Sequence, residues 1–304
     1  MIRNYIKVAF RSINKDRFYS IINILGLSIG ITTCLLILLY VTDELSFDKY
    51  HTDAERIYRV VAKARLSDEV IEFVGTPAPM TNTFKNTIPE VESVTRLRPL
   101  GMMFHHEGNS YKEDHLMHAD STFFDVFNYK LIQGKQDGSL TEPNSIILTK
   151  DIALKYFGSD KLNSGTVLGS FLKANGQLYK ITGILENIPS NTHLRFDMLV
   201  SMSTLQDAYS SIWINMRYFT YAKLHKDVQV EQLDGKLRGM VMQYVIPQVM
   251  QYMNYPGQSI TEENVDENFQ FFLQPMTDIH LKSNLSGELE SNGNIQYIYA
   301  FSII

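Results

Sequence analysis

The rhythm of apolar and polar positions changes three times along the chain. Over the first seventeen residues Ile2, Tyr5, Ile6, Ala9, Phe10 and Ile13 recur at spacings of three and four, while Arg3, Lys7, Arg11 and Lys15 fall on another side. That spacing predicts a basic amphipathic helix over 1–17. From Phe18 to Thr42 the periodicity disappears into 25 residues without a charged side chain, 13 of them Ile, Leu or Val. As a helix this stretch would be about 37 Å long, enough to cross a hydrocarbon core of about 30 Å. It predicts a transmembrane helix over 18–42. Neither its length nor its residues fit a cleavable signal peptide, and Ile31-Thr32-Thr33-Cys34 is a poor lipoprotein cleavage site. The pattern is then mixed and globular over 43–294. At Ile295–Ile304 it turns apolar and uncharged again, which predicts the start of a second transmembrane helix in a sequence that is a fragment.

Within 43–294 short strands alternate with helices. Ile57–Ala64 reads as a strand, Thr76-Pro77 as an N-cap and first helical residue, Met80, Phe84 and Ile88 as one helix face, and Val91–Arg98 as a strand. A hairpin is expected around Glu107-Gly108-Asn109, and a short aromatic helix capped by Ser121. The alternation recurs with Ser145–Leu148 as strand, Thr149 as N-cap, Ala153–Phe157 as helix and Gly158 as its stop. Strands follow at Tyr179–Leu185, Arg195–Ser201, Met216–Leu224 and Asn268–Gln274, with a long helix over Val230–Met253 that Pro247 should kink or break. The expected fold is that of an α+β membrane protein: amphipathic helix, transmembrane helix, then a mixed α/β extracytoplasmic domain of βαβ units.

Charge gives the span a direction. Of a net −5, residues 1–17 carry +4 and the remainder −9. By the positive-inside rule the N-terminus is cytoplasmic and the large acidic domain lies outside. An acidic exterior without a basic cluster speaks against nucleic acid as a partner. The single cysteine, Cys34, lies inside the span, so the outer domain has no disulfide.

Candidate chemistry is sparse. No phosphate-binding loop, nucleophile elbow, zinc-protease helix or dinucleotide fingerprint occurs, and neither a cofactor nor an enzymatic activity is expected. His105-His106 and His115-x-x-His118 could be imagined as a metal site, but adjacent strand residues point to opposite faces and no carboxylate set completes a tetrahedron. Gly26, Ser28 and Gly30 give the span a small-residue face on which another helix could pack. Met242, Tyr244, Met250 and Met253 on the long helix, with Met240, Tyr252 and Tyr255, either fill a core or border a contact surface for apolar partners.

The segments NILGLSIGI, DELSFDKYHTDAERIYRVV, TFFDVFNYKLIQG, SIILTKDIALKYFG, ITGILENIPSNTHLRFDMLVS and LQPMTDIHL, taken together, resemble the permease subunits of the MacB/FtsX-like family of ATP-binding-cassette transporters. The resemblance covers essentially the whole sequence. It implies a periplasmic domain with a porter-like α/β part and a second, mostly β part, between the first two transmembrane helices of a bacterial inner-membrane protein. It further implies a second permease copy, a separate cytoplasmic ATPase that moves the periplasmic domain, contact with membrane lipid, and a periplasmic adaptor or outer-membrane partner. Export or extraction of peptides, antibiotics or lipoproteins is the implied function. The alternatives are an FtsX-type regulator of cell-wall hydrolases and a membrane-anchored extracytoplasmic sensor.

Overall fold

The computed structural model describes residues 2–66, 69–252, 260–261 and 264–302. The chain divides into two compact units, Met1–Ser46 with Asn294–Ile304, and Phe47–Gly293.

In the first unit, α1 (Ile2–Lys15) is followed after Asp16 by α2 (Arg17–Glu44). Among the described residues α2 is the one helix long and apolar enough to cross a membrane, and none of its residues is buried. Its threonines satisfy themselves within the helix: the Thr33 hydroxyl donates to the Ile29 carbonyl at 2.9 Å and that of Thr42 to Leu38 at 2.8 Å. Back-bonding of this kind lowers the cost of a hydroxyl in hydrocarbon. The C-terminal helix Ile295–Ser302 lies against α2, with Phe301 edge-on to Tyr40 at 5.7 Å between ring centres.

The second unit begins with β1 (Ile57–Leu66), β2 (Glu69–Phe73), β3 (Thr76–Pro77), α3 (Met80–Thr87), β4 (Val91–Pro99), β5 (Met102–His106), β6 (Asn109–Glu113) and β7 (Leu116–Ala119). Next come α4 (Phe123–Val126), β8 (Leu131–Gly134), β9 (Ser145–Thr149), α5 (Lys150–Asn163), β10 (Phe171–Ala174), β11 (Gln177–Leu185) and β12 (Met198–Ser201). The last elements are β13 (Met216–Leu224), α6 (Asp234–Met240), α7 (Ile246–Tyr252), α8 (Val265–Asn268), β14 (Phe269–Pro275) and α9 (Ile279–Lys282). The strands hydrogen-bond in the order β14-β1-β13-β4-β7-β12-β9-β11-β10-β5-β6, with β2 on β1, β3 on β13 and β8 on β11, so all 14 belong to one sheet.

Both strand–helix–strand readings correspond to crossovers. β1 and β4 are each antiparallel to β13, which lies between them, so they are parallel to one another with α3 as the connection. β9 and β11 pair directly in parallel after α5. The imperfect alternation of β1 has a simple cause: both its faces are covered. Val60, Ala62 and Ala64 pack under α3 and α6 with Phe84, Leu237 and Val241, whereas Ile57 belongs to an aromatic cluster with Phe123, Phe127 and Tyr221 on the other face. A third cluster buries Ile152, Ala153 and Tyr156 of α5 on β5, β9, β10 and β11.

Several sequence expectations are corrected. Thr76-Pro77 does not open a helix but forms β3 against β13, and the Thr76 hydroxyl donates to the Tyr218 carbonyl at 2.8 Å. The helix begins at Met80, where Pro79 supplies the preceding turn. Thr122, not Ser121, precedes α4, and its hydroxyl bonds the Val94 carbonyl instead of capping. Arg195 lies outside the strand that starts at Met198, whereas Gly158, with a φ of +76° and a ψ of 169°, does end the first helical stretch of α5, and a second stretch follows it to Asn163. Pro247 does not break its helix. A π-turn at Val241–Val245 precedes it, and the widened turn accommodates the missing N–H and the ring's clash with the carbonyl four residues back.

One position tests the sheet's close packing. Gly134 has a φ of +95° and a Cβ there would lie 2.6 Å from the Thr182 carbonyl, whereas Gly165 has a φ of +75° in open space. Gly165→Ala should cost about 1 kcal/mol of backbone strain. Gly134→Ala should cost clearly more, about 3 kcal/mol, because the β8–β11 pairing must also part. Urea unfolding of residues 47–293 measures both; equal costs would refute the close approach.

Candidate functional site where the chain enters and leaves the domain

Asp48 lies four residues beyond the end of α2 in sequence and is buried at 1 % exposure. Its backbone is left-handed, with a φ of 60°, a conformation Asp tolerates better than most residues. Oδ1 of Asp48 accepts the Thr192 hydroxyl at 2.9 Å and the His193 backbone N–H at 3.0 Å, while the Asp48 N–H donates to the Asn191 carbonyl at 2.9 Å. The His193 ring completes the arrangement. Its Nδ1 is 2.8 Å from Asp48 Oδ1, within ion-pair distance although not aligned as a hydrogen bond, and its Nε2 is 2.9 Å from the Tyr221 hydroxyl. Burial alone would raise the Asp48 pKa, but the His193 ring and these donors hold it below the ordinary carboxylate value.

Beside it, His51 accepts the Asn128 N–H on Nδ1 at 3.1 Å and packs edge-on against Tyr129 at 4.8 Å. Burial holds this ring neutral, with a pKa pushed down to about 4. His118 on β7 is likewise pushed down to about 4, first by burial and then by the neighbouring Arg98 charge.

The outgoing chain is fixed by Arg59, which is fully buried in β1 beside its cross-strand partners Tyr221 and Gln274. The guanidinium takes Glu288 bidentately, at 2.5 Å to Oε2 and 2.9 Å to Oε1. It also donates to Gln274 at 2.6 Å and to the Ser283 hydroxyl at 3.2 Å. Burial would raise the Glu288 pKa, but Arg59 and the Ser283 hydroxyl bring it below its ordinary value. Phe47 of the incoming segment stacks on His280 of α9, with ring centres 3.4 Å apart and planes 6° apart. The two ends of the domain's chain therefore touch one another and are both held by buried polar groups.

The residues singled out from sequence lie elsewhere. Gly26, Ser28 and Gly30 sit exposed on α2, and a Cβ at either glycine would meet nothing within 4 Å. Met242 is half-buried against the cluster under α6, Tyr244 stacks on Trp213 at 4.8 Å, Met250 is exposed, and Met253 lies outside the described residues, as does Tyr255. An apolar cavity of about 220 Å³ borders this helix, lined by Val245, Ile246 and Val249 together with Phe73, Met216 and Phe269, and neither Met242, Tyr244 nor Met250 lines it. Of the histidines weighed as ligands, His105 is bonded to Ser110, His106 packs on Phe157 and His118 is enclosed; among the described residues no cluster of three or more His, Cys, Asp or Glu converges. Asp48, Arg59, His193 and Glu288 were not singled out, because their partners are 145 and 229 positions apart in sequence.

The chain thus joins an α/β domain, pinned by buried polar groups where it comes in and where it goes out, to an N-terminal helix long and apolar enough to cross a membrane. The chain belongs to the MacB-like periplasmic core domain family, which it matches over residues 20–240. A domain from a Porphyromonas gingivalis protein assigned as a permease shares the fold, with a TM-score of 0.58 and 23 % identity over 74 % of this chain and 91 % of that one. The periplasmic region of MacB from Actinobacillus actinomycetemcomitans is similar at a TM-score of 0.45 and 14 % identity, over 67 % of this chain and 95 % of that one. The extracellular domain of YknZ, a noncanonic ABC-type transporter from Gram-positive bacteria, is similar at 0.43 and 16 % identity, over 71 % and 99 %. No curated protein matches the chain.

Two measurements follow. Removing one partner of a buried ion pair leaves an uncompensated charge, so Glu288→Met and Arg59→Met should each destabilise residues 47–293, the former by about 3–5 kcal/mol and the latter by no more than that, while the double variant Arg59→Met/Glu288→Met should recover most of the loss. Urea midpoints of the four members of the cycle decide it; additive losses would remove the coupling. His51 and His118 have folded pKa values below their ordinary 6.5. The unfolded chain thus binds more protons between about pH 6.5 and pH 4, and the stability these rings contribute is complete above that window and lost as pH falls through it, by about 3 kcal/mol per ring. A His118→Gln variant should show a flatter decline of urea midpoint across the same window.

Proposed function

We propose that the chain is the permease subunit of a MacB/FtsX-like ABC transporter, with its N-terminus cytoplasmic, α2 in the bacterial inner membrane and residues 47–293 in the periplasm. The chain itself performs no catalysis; a separate cytoplasmic ATPase supplies the energy. Displacement of the membrane helices moves the periplasmic domain, which exports or extracts peptides, antibiotics or lipoproteins with the help of an adaptor or outer-membrane protein. The observation that carries this reading is the double anchorage by Asp48 with His193 and by Arg59 with Glu288. A domain held at both chain ends by buried polar networks follows the helices to which those ends lead without first unravelling. Family membership supports the transporter assignment, and the basic α1 supports contact with lipid and the orientation. Gly26, Ser28 and Gly30 are the surface at which a second permease copy or a sibling helix would pack.

Affinity capture of the full-length protein from native membranes should recover an ATPase subunit in stoichiometric amount. The variant Asp48→Asn/Glu288→Gln should still capture it, yet transport should drop roughly tenfold while ATP hydrolysis continues, since about 1.4 kcal/mol of lost coupling is a factor of ten. Capture of no ATPase would overturn the permease reading; unchanged transport in the variant would overturn the role given to the anchors.

A further inference from the structure

The four strands β11, β10, β5 and β6 leave one side of the sheet bare, and their register says which residues occupy it. Phe171 pairs with Lys180 and Lys173 with Leu178 across β10–β11; Lys173 pairs with His105 across β10–β5; Met103 pairs with Lys112 and His105 with Ser110 across β5–β6. Directly paired residues share a face. All eight are exposed, while the alternate positions Phe104, Leu172, Ala174 and Tyr179 are buried beneath α5.

The composition of this face is unlike a merely solvated one. Phe171, Leu178 and Met103 expose 50 %, 59 % and 43 % of their surface. Between them stand Lys112, Lys173 and Lys180, and no acidic residue occupies any of the eight positions. Lys112 meets Asp114 beside the face at 2.8 Å, whereas among the described residues Lys173 and Lys180 have no ion-pair partner. Outside its first seventeen residues the chain carries a net −9, so the patch is a local reversal of sign. A sheet face kept from aggregating by charge alone would need only the lysines. Interleaved aromatic, aliphatic and ammonium groups on a flat surface suit a partner that is both anionic and apolar just beneath its charges, which is the layering of a phospholipid bilayer.

We propose that the β11-β10-β5-β6 face docks on an anionic phospholipid surface, with Phe171, Leu178 and Met103 entering the headgroup layer and Lys173 and Lys180 pairing with lipid phosphates. The proposal stands apart from the permease reading and does not require an ATPase.

Residues 47–293, a compact unit with its own hydrophobic clusters, are tested by co-sedimentation with vesicles of equal parts phosphatidylcholine and phosphatidylglycerol, and with vesicles of phosphatidylcholine alone. Binding is expected to the anionic vesicles and to weaken with added salt. Lys173→Gln and Lys180→Gln should each lower partitioning roughly fivefold, and Phe171→Ser/Leu178→Ser roughly tenfold or more. Lys226→Gln removes the same charge from another exposed position and should change nothing. Equal binding to both vesicles, losses with Lys226→Gln as large as with Lys173→Gln, or no binding at all would overturn the proposal. Capture by immobilised polyglutamate in preference to vesicles would overturn it as well, and would assign the face to an acidic peptide. All substituted side chains are exposed, and far-ultraviolet circular dichroism confirms that each variant is folded.

Discussion

The burial of Arg59 constrains more of this domain than any other single interaction. A guanidinium with no exposed surface, in a strand covered on both faces, is tolerable only if its charge is met. The partners of its two terminal nitrogens come from one direction in the chain: Gln274 on β14, Ser283 just after α9, and Glu288 beyond it. Satisfying Arg59 therefore obliges the last part of the domain to return to its first strand. β14 pairs with β1 over Tyr58–Ala64, and α9 is brought to where Phe47 can lie on His280. Asp48 imposes the same obligation on the middle of the chain, since its partners Asn191, Thr192 and His193 stand between β11 and β12.

What could be read in the sequence was what local pattern determines. The strand Met216–Leu224 has the bounds expected of it, and the turn at Glu107-Gly108 has the positive φ values that hairpin chemistry requires. Local pattern failed where a distant partner decides. Thr76-Pro77 has every mark of a helix start, yet β13 offers its edge at Tyr218 and the threonine hydroxyl takes that carbonyl instead. Pro247 has every mark of a helix breaker, yet the burial of Val241, Val245 and Ile246 favours continuing the helix through a widened turn. The anchoring residues were illegible for the same reason. The segments holding Asp48 and His193 were conspicuous as family signatures, but nothing within either one says that they meet.

The continuity of the sheet also bears on mechanics. β4 and β7 pair at three positions, Leu97 with Ala119, Arg98 with His118 and Pro99 with Met117. Two arginines of β4 tie this stretch to other parts of the chain. Arg96 takes Asp120 bidentately at 2.8 and 2.9 Å and also reaches the carbonyls of Ala78 and Ala208, while Arg98 pairs with Asp207. Asp207 and Ala208 belong to one short turn, Gln206–Tyr209, so both arginines fasten β4 to the same segment, and Arg96 fastens it to the end of β7 as well. Displacing β4 from β7 would break several of these hydrogen bonds at once.

Why the chain ends should be fastened by polar networks and not by apolar packing alone follows from how the two forces depend on geometry. Apolar contact is non-directional, and one aliphatic side chain can slide past another with little change in buried area. A bidentate arginine–carboxylate pair away from water fixes both distance and orientation, and shifting it uncovers two charges that nothing else can satisfy. Under a pull on the outgoing chain, Glu288 cannot advance by one residue without abandoning Arg59, and Arg59 cannot follow without leaving β1. Load applied at the outgoing end is thus delivered to β1 and to the strands paired with it. The same geometry that makes these charges costly to bury makes the domain's two ends resistant to slipping.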